Sequence, residues 1–127
     1  MNVQNLLLNQ LPDEIKEKVI KEDIELFGYF MFNDIKKVDY AFIISTYANH
    51  KNTVNLHEMA ACIFHFHFNY YEYAYEYAFY HYWKALELTE FKNKEFLEDL
   101  LLISEEPDFD IIPNEYLEFV KEKLKSL

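Results

Sequence analysis

The sequence predicts an all-α fold: a compact bundle of six or seven helices in one domain over residues 1–127. Three observations predict it. One Gly and three Pro are too few for a turn-rich β-sandwich or for a Gly-rich phosphate loop. Leu, Glu, Lys and Ala, all good helix formers, are abundant. Apolar residues recur at helical spacing along most of the chain. Half of the residues are apolar (51%) and a fifth aromatic (19%), which is ample for a core.

The elements follow in order. Pro12 with Asp13 and Glu14 marks a helix start, proline in the first turn and acids at the positive dipole end. Ile15, Val19, Ile20 and Ile24 share its face, Lys21–Asp23 breaks or bends it, and LFGYFMF continues to Asn33. Gly28, inside that run, either permits a close helix crossing or simply weakens the helix. Asn33 or Asp34 is the expected cap of the next helix, whose stripe holds Val38, Phe42 and Ile43 with Tyr40 and Tyr47. ANHKNT, residues 48–53, reads as a polar turn. Asn55 stands three residues before Glu58 as in a capping box, and Thr53 is the alternative cap. Asn93 caps a helix carrying Phe96, Leu97, Leu100, Leu101 and Ile103, and residues 104–113 read as a loop. Pro113 starts a last helix with Tyr116, Leu117, Val120 and Leu124 on one face, and Lys121, Lys123 and Lys125 toward its negative end.

Residues 64–83, FHFHFNYYEYAYEYAFYHYW, hold twelve aromatics in twenty positions. The first half alternates as a β-strand does. A twenty-residue strand would run about 66 Å at ~3.3 Å per residue, against the usual five or six residues, and no Gly or Pro marks a hairpin turn. Tyr70, Ala74, Ala78, Tyr82 and Ala85 step by four and then three, with small residues where a neighbouring helix approaches. The stretch is therefore read as helical, with Tyr70, Phe79 and Tyr82 on the buried side. More rings are present than one buried face can hold, so Tyr71, Tyr75 and Trp83 are candidates for a partner groove or a dimer seam.

AYEYAFYHYWKALEL, residues 74–88, resembles the second helix of a tetratricopeptide repeat: Ala78, Tyr82 and Ala85 match its alanine, aromatic and alanine positions. Residues 57–71 resemble its first helix, with a tight turn near residues 72–74. Phe66 stands where the repeat usually has a small residue, and Glu90 where it closes with proline. The likeness covers about 34 residues, one repeat, and implies an antiparallel helical hairpin near residues 55–89. The whole layout resembles small bacterial toxin-immunity proteins, which implies a protein partner and no catalysis.

Metal and catalytic chemistry find little support. HEMAA begins as a zinc-protease motif does, but Ala61 occupies the second histidine position. His65 and His67 lie about 200° apart on a helix at ~3.6 residues per turn. Glu72 and Glu76, spaced i, i+4 among tyrosines, read as a solvated stripe or as an acid–base pair. The expectation is no enzyme, no cofactor and no metal; an enzyme or small-ligand module using His57, Glu72, Glu76 or His81 is the outlying alternative.

The net charge is −11 and all twelve basic residues are Lys. A chain without Arg and strongly negative is repelled by nucleic acid. It suits a protein partner with a basic surface, and Glu105, Glu106, Asp108 and Asp110 around Pro107 form a candidate acidic hook. Cys62, the one cysteine, reads as a small core residue. The first residues lack a signal-peptide pattern and no membrane span is expected, so a reducing cytoplasm fits. The leading expectation is a non-catalytic protein-interaction module of immunity type; a self-associating homodimeric scaffold is the alternative.

Overall fold

The computed structural model describes residues 2–105 and 112–127, and among them holds eight α-helices and no strand. The helix beyond the expected six or seven is α1 (Gln4–Leu8), a short turn that seats Leu8 and Leu11 in the core. α2 (Asp13–Ile20) follows Pro12 and buries Ile15 and Val19. α3 (Leu26–Phe32) buries Leu26 and Phe30. Gly28 is exposed, and a Cβ built on it meets nothing within 4 Å, so it serves no close crossing. Gly28→Ala is therefore expected to stabilise the fold by about 0.5–1 kcal/mol, read as a higher urea midpoint.

With a single glycine, the chain ends its helices on other residues. α2, α3 and α6 (Ala74–Leu88) all close with the same pair of bonds. Asp23 N–H donates to Lys18 O and Glu22 N–H to Val19 O; Ile35 and Asp34 repeat this on Phe30 and Met31, and Phe91 and Glu90 on Leu86 and Glu87. This is the Schellman closure, which needs a left-handed residue. Glu22, Asp34 and Glu90 supply it at φ 55°, 51° and 56°. Asp34 thus ends α3 instead of capping α4 (Asp39–Lys51), which starts after Val38 with no side-chain cap.

α4 runs through most of the predicted 48–53 turn. Ala48 is buried, His50 and Lys51 sit favourably at the negative helix end, and Asn52 at φ 55° stops the helix. Thr53, not Asn55, caps α5 (Val54–Cys62), its hydroxyl accepting from Leu56 N–H at 3.2 Å. α5 then widens into a π turn over Ile63–His67, marked by Phe68 N–H donating to Ile63 O at 3.0 Å. The strand-like FHFHF run is this π turn and the residues beside it, and the chain turns at residues 68–73, earlier than expected. Tyr70, expected in the core, is 67% exposed on that turn.

α5 and α6 form the antiparallel hairpin: Phe64 stacks on Tyr77 at 5.0 Å and His57 meets His81 at 5.1 Å, so the pairings run in opposite directions. Ala74, Ala78 and Ala85 of α6 and Ala60 and Ala61 of α5 are all buried. Small residues on both partners bring the helices together, and Tyr82, fully buried, fills the space between. α7 (Lys94–Ile103), capped by Asn93 on Phe96 N–H, packs Phe96, Leu97 and Leu100 against α6. α8 (Asn114–Lys125) closes on α7 through Leu117 and Val120. No described helix is long and apolar enough to cross a membrane.

Candidate functional site

The first candidate is a cleft of about 400 Å³ between α6 and the start of α8. On α6 it is lined by Glu76, Phe79, Tyr80, Trp83, Lys84 and Glu87, which recur at i, i+3, i+4, i+7, i+8 and i+11 and so share one helix face. Ile112, Pro113 and Tyr116 form the facing wall. The rings contact one another. Trp83 lies 5.2 Å from Tyr116 edge-on, 5.9 Å from Phe79 in a stack, 5.1 Å from Phe91 and 5.5 Å from Phe119. Such offset and edge-to-face pairs hold rings in fixed positions. Phe79 roots the cluster in the core, while Tyr116 and Phe119 remain 40% exposed. Lys84 Nζ pairs with Glu87 at 3.1 Å.

The second candidate is buried except at its Asn52 end, which is exposed. Four side chains from α4, its C-terminal cap, α5 and α6 form a hydrogen-bonded row. His57 Nε2 lies 2.8 Å from Asn52 Oδ1, His57 Nδ1 2.9 Å from His81 Nδ1, and His81 Nε2 2.7 Å from Ser45 Oγ. Both imidazoles are fully buried. The acceptor at one end fixes every proton in the row. With Asn52 Oδ1 accepting, His57 carries its proton on Nε2, so its Nδ1 accepts from His81 Nδ1–H, and His81 Nε2 accepts from the Ser45 hydroxyl. Asn52 reaches His57 because its left-handed backbone, tolerable for Asn, turns the amide back toward α5. Burial lowers His57 to about 4, helped by the Lys84 cation and opposed by Glu87. Burial and the neighbouring His57 lower His81 to about 3. Both rings are therefore neutral at neutral pH.

A serine hydroxyl on a histidine acceptor is the start of a nucleophile–base pair. The surroundings do not complete it. Ser45 sits in the interior of α4, where the backbone N–H groups beside it are spent on helix bonds, so α4 itself offers no pair of amides for an oxyanion. Its exposure is 5%. The row instead joins three helices and leaves no buried side-chain polar atom without a partner among the described residues.

The residues singled out from sequence scatter. Trp83 is at the heart of the cleft. Tyr71 and Tyr75 border a separate concavity on the 69–76 turn, and Glu76 alone touches both. Glu105 is exposed at the end of α7; Glu106, Asp108 and Asp110 lie outside the described residues. Of the four residues in the enzyme alternative, His57 and His81 meet, whereas Glu72 is exposed on the turn and Glu76 faces the cleft. No group of three or more metal-ligating side chains is present among the described residues. Sequence reasoning did not single out Ser45 or Asn52. A serine within the apolar stripe of α4 was the available signal, since a buried hydroxyl requires a partner.

A third group brings Glu58 of α5 within electrostatic range of Glu95 and Asp99 of α7. Burial and the acids Glu95 and Glu98 raise Asp99 to about 6, and burial with Glu95 and Asp99 raises Glu58. Burial pushes the Cys62 thiol up to about 12, which makes it a core residue without thiolate reactivity.

The chain matches no protein-family model, no curated protein and no solved structure.

Proposed function

We propose that this chain is a non-catalytic protein-interaction module whose contact surface is the cleft between α6 and α8. The observation that carries the reading is Trp83, half-buried among Phe79, Phe91, Tyr116 and Phe119 at the edge of an open concavity. Rings rooted in the core and half-exposed at the rim are the side chains that supply binding energy at interfaces, because they bring area with little entropy to lose. The acidic balance of the chain favours a partner with a basic surface. Neutralisation of a toxin, as in the bacterial immunity proteins the layout resembles, is one form of this function.

Crosslinking and affinity capture from the native cells test the reading. A single basic protein retained by the natural chain should be weakened at least tenfold by Trp83→Ala or Tyr116→Ala, each worth about 2 kcal/mol at a central interface position. Circular dichroism establishes that each variant is folded. Undiminished capture by both variants would move the surface elsewhere. Loss of self-association on the same substitutions would favour the homodimeric scaffold.

A further inference from the structure

Resting on that docking reading, we propose that the α6–α8 cleft anchors its partner through an arginine side chain, with Glu76 as the counter-charge. Among the described residues, two carboxylates line the cleft. Glu87 is neutralised by Lys84 at 3.1 Å. Glu76 is half-buried and has no ion pair among the described residues, so the cleft carries one uncompensated negative charge beside aromatic walls. A purely apolar occupant would strip water from that carboxylate and return nothing, and an acidic one would add repulsion. A cation removes both costs. Between the arginine and lysine side chains of a protein partner, the guanidinium is the one that lies flat on rings, is weakly hydrated, and grips a carboxylate with two parallel N–H donors. Glu76 and Trp83 stand seven residues apart on α6, about 10 Å at ~1.5 Å per residue. An arginine entering beside Trp83 can lay its methylenes on the rings and point its planar head toward Glu76, whose own side chain closes the rest of that distance. These 127 residues hold no arginine, so a second copy of the same sequence does not supply the anchor.

Trp83 is the only tryptophan, so emission from the intact chain reports directly on the cleft. Three capped five-residue peptides serve as probes, identical except for arginine, lysine or citrulline at the centre of a leucine-flanked segment; citrulline keeps the shape and removes the charge. The arginine peptide should give a saturable, salt-sensitive change in Trp83 emission. It should bind about tenfold tighter than the citrulline peptide and tighter than the lysine peptide. Glu76→Gln should bring the arginine-to-citrulline ratio close to one. Equal binding of the arginine and citrulline peptides, or discrimination that survives Glu76→Gln, overturns the anchor and leaves the docking reading standing. A silent titration up to millimolar peptide also overturns it. The docking reading falls only if Trp83→Ala and Tyr116→Ala leave partner capture unchanged.

Discussion

Tyr82→Ala is expected to lose about 4 kcal/mol of stability, at the upper end of what aromatic deletions from cores cost. The ring is fully buried, and Ala60, Ala61, Ala78 and Ala85 have no side chains long enough to collapse into the space it leaves. Against a typical total of roughly 5–15 kcal/mol, that loss brings the fold close to its limit. Tyr82→Phe isolates the hydroxyl, which lies 3.3 Å from His65 Nδ1 and 3.7 Å from Cys62 Sγ. It should cost about 1 kcal/mol. Urea midpoints for the two variants check the pair. A small loss for the alanine variant would mean that the hairpin does not depend on this ring for its packing.

Acid should release the α4–α5–α6 junction. His57 and His81 have their folded values depressed from 6.5 to about 4 and about 3. The unfolded chain therefore takes up protons first. Their contribution is complete above the unfolded value of about 6.5 and is lost as pH falls through about 4. For His57 alone the change between pH 7 and pH 4 is about 3 kcal/mol. The row of bonds gives this a mechanical meaning: protonating both rings places two N–H donors face to face at a separation of 2.9 Å. Asp99 works in the opposite direction. Its folded value is raised to about 6, so protonation relieves it as pH falls. The test is accordingly a comparison. The double variant His57→Gln, His81→Gln should be less stable than the natural chain at pH 7, yet, with both imidazoles removed, should lose about 6 kcal/mol less on going to pH 4. Parallel pH profiles would show that the imidazoles are not the groups being titrated.

The helices were legible because their signals are local. The apolar stripes of α2, α7 and α8, the Asn93 cap and the alanine steps of α6 each lie within a few residues of what they determine. The misses involve choices that distant packing decides. Asn55 and Thr53 are both adequate caps by sequence; Thr53 prevails where its hydroxyl also donates to Glu22, thirty-one residues earlier. Asp34 has a capping side chain, but the closure of α3 uses its backbone instead. Tyr70 kept step with Ala74 only as long as the helix was assumed continuous, and the turn at residues 68–73 breaks that phase. At the candidate site Trp83 stood out because surplus rings must go somewhere. The pairing of His57 with His81, twenty-four residues apart, has no short-range signature at all. Nor does the isolation of Glu76, which depends on which acid Lys84 reaches.

The left-handed closures at Glu22, Asp34 and Glu90 place the tension of this molecule in its joints rather than in its rods. Each such residue holds a backbone shape that L-amino acids resist by roughly 1–2 kcal/mol. Fluctuations should accordingly begin at those corners, with whole helices loosening as units while their interiors stay intact. A chain built this way is expected to hinge at its corners before its helices melt.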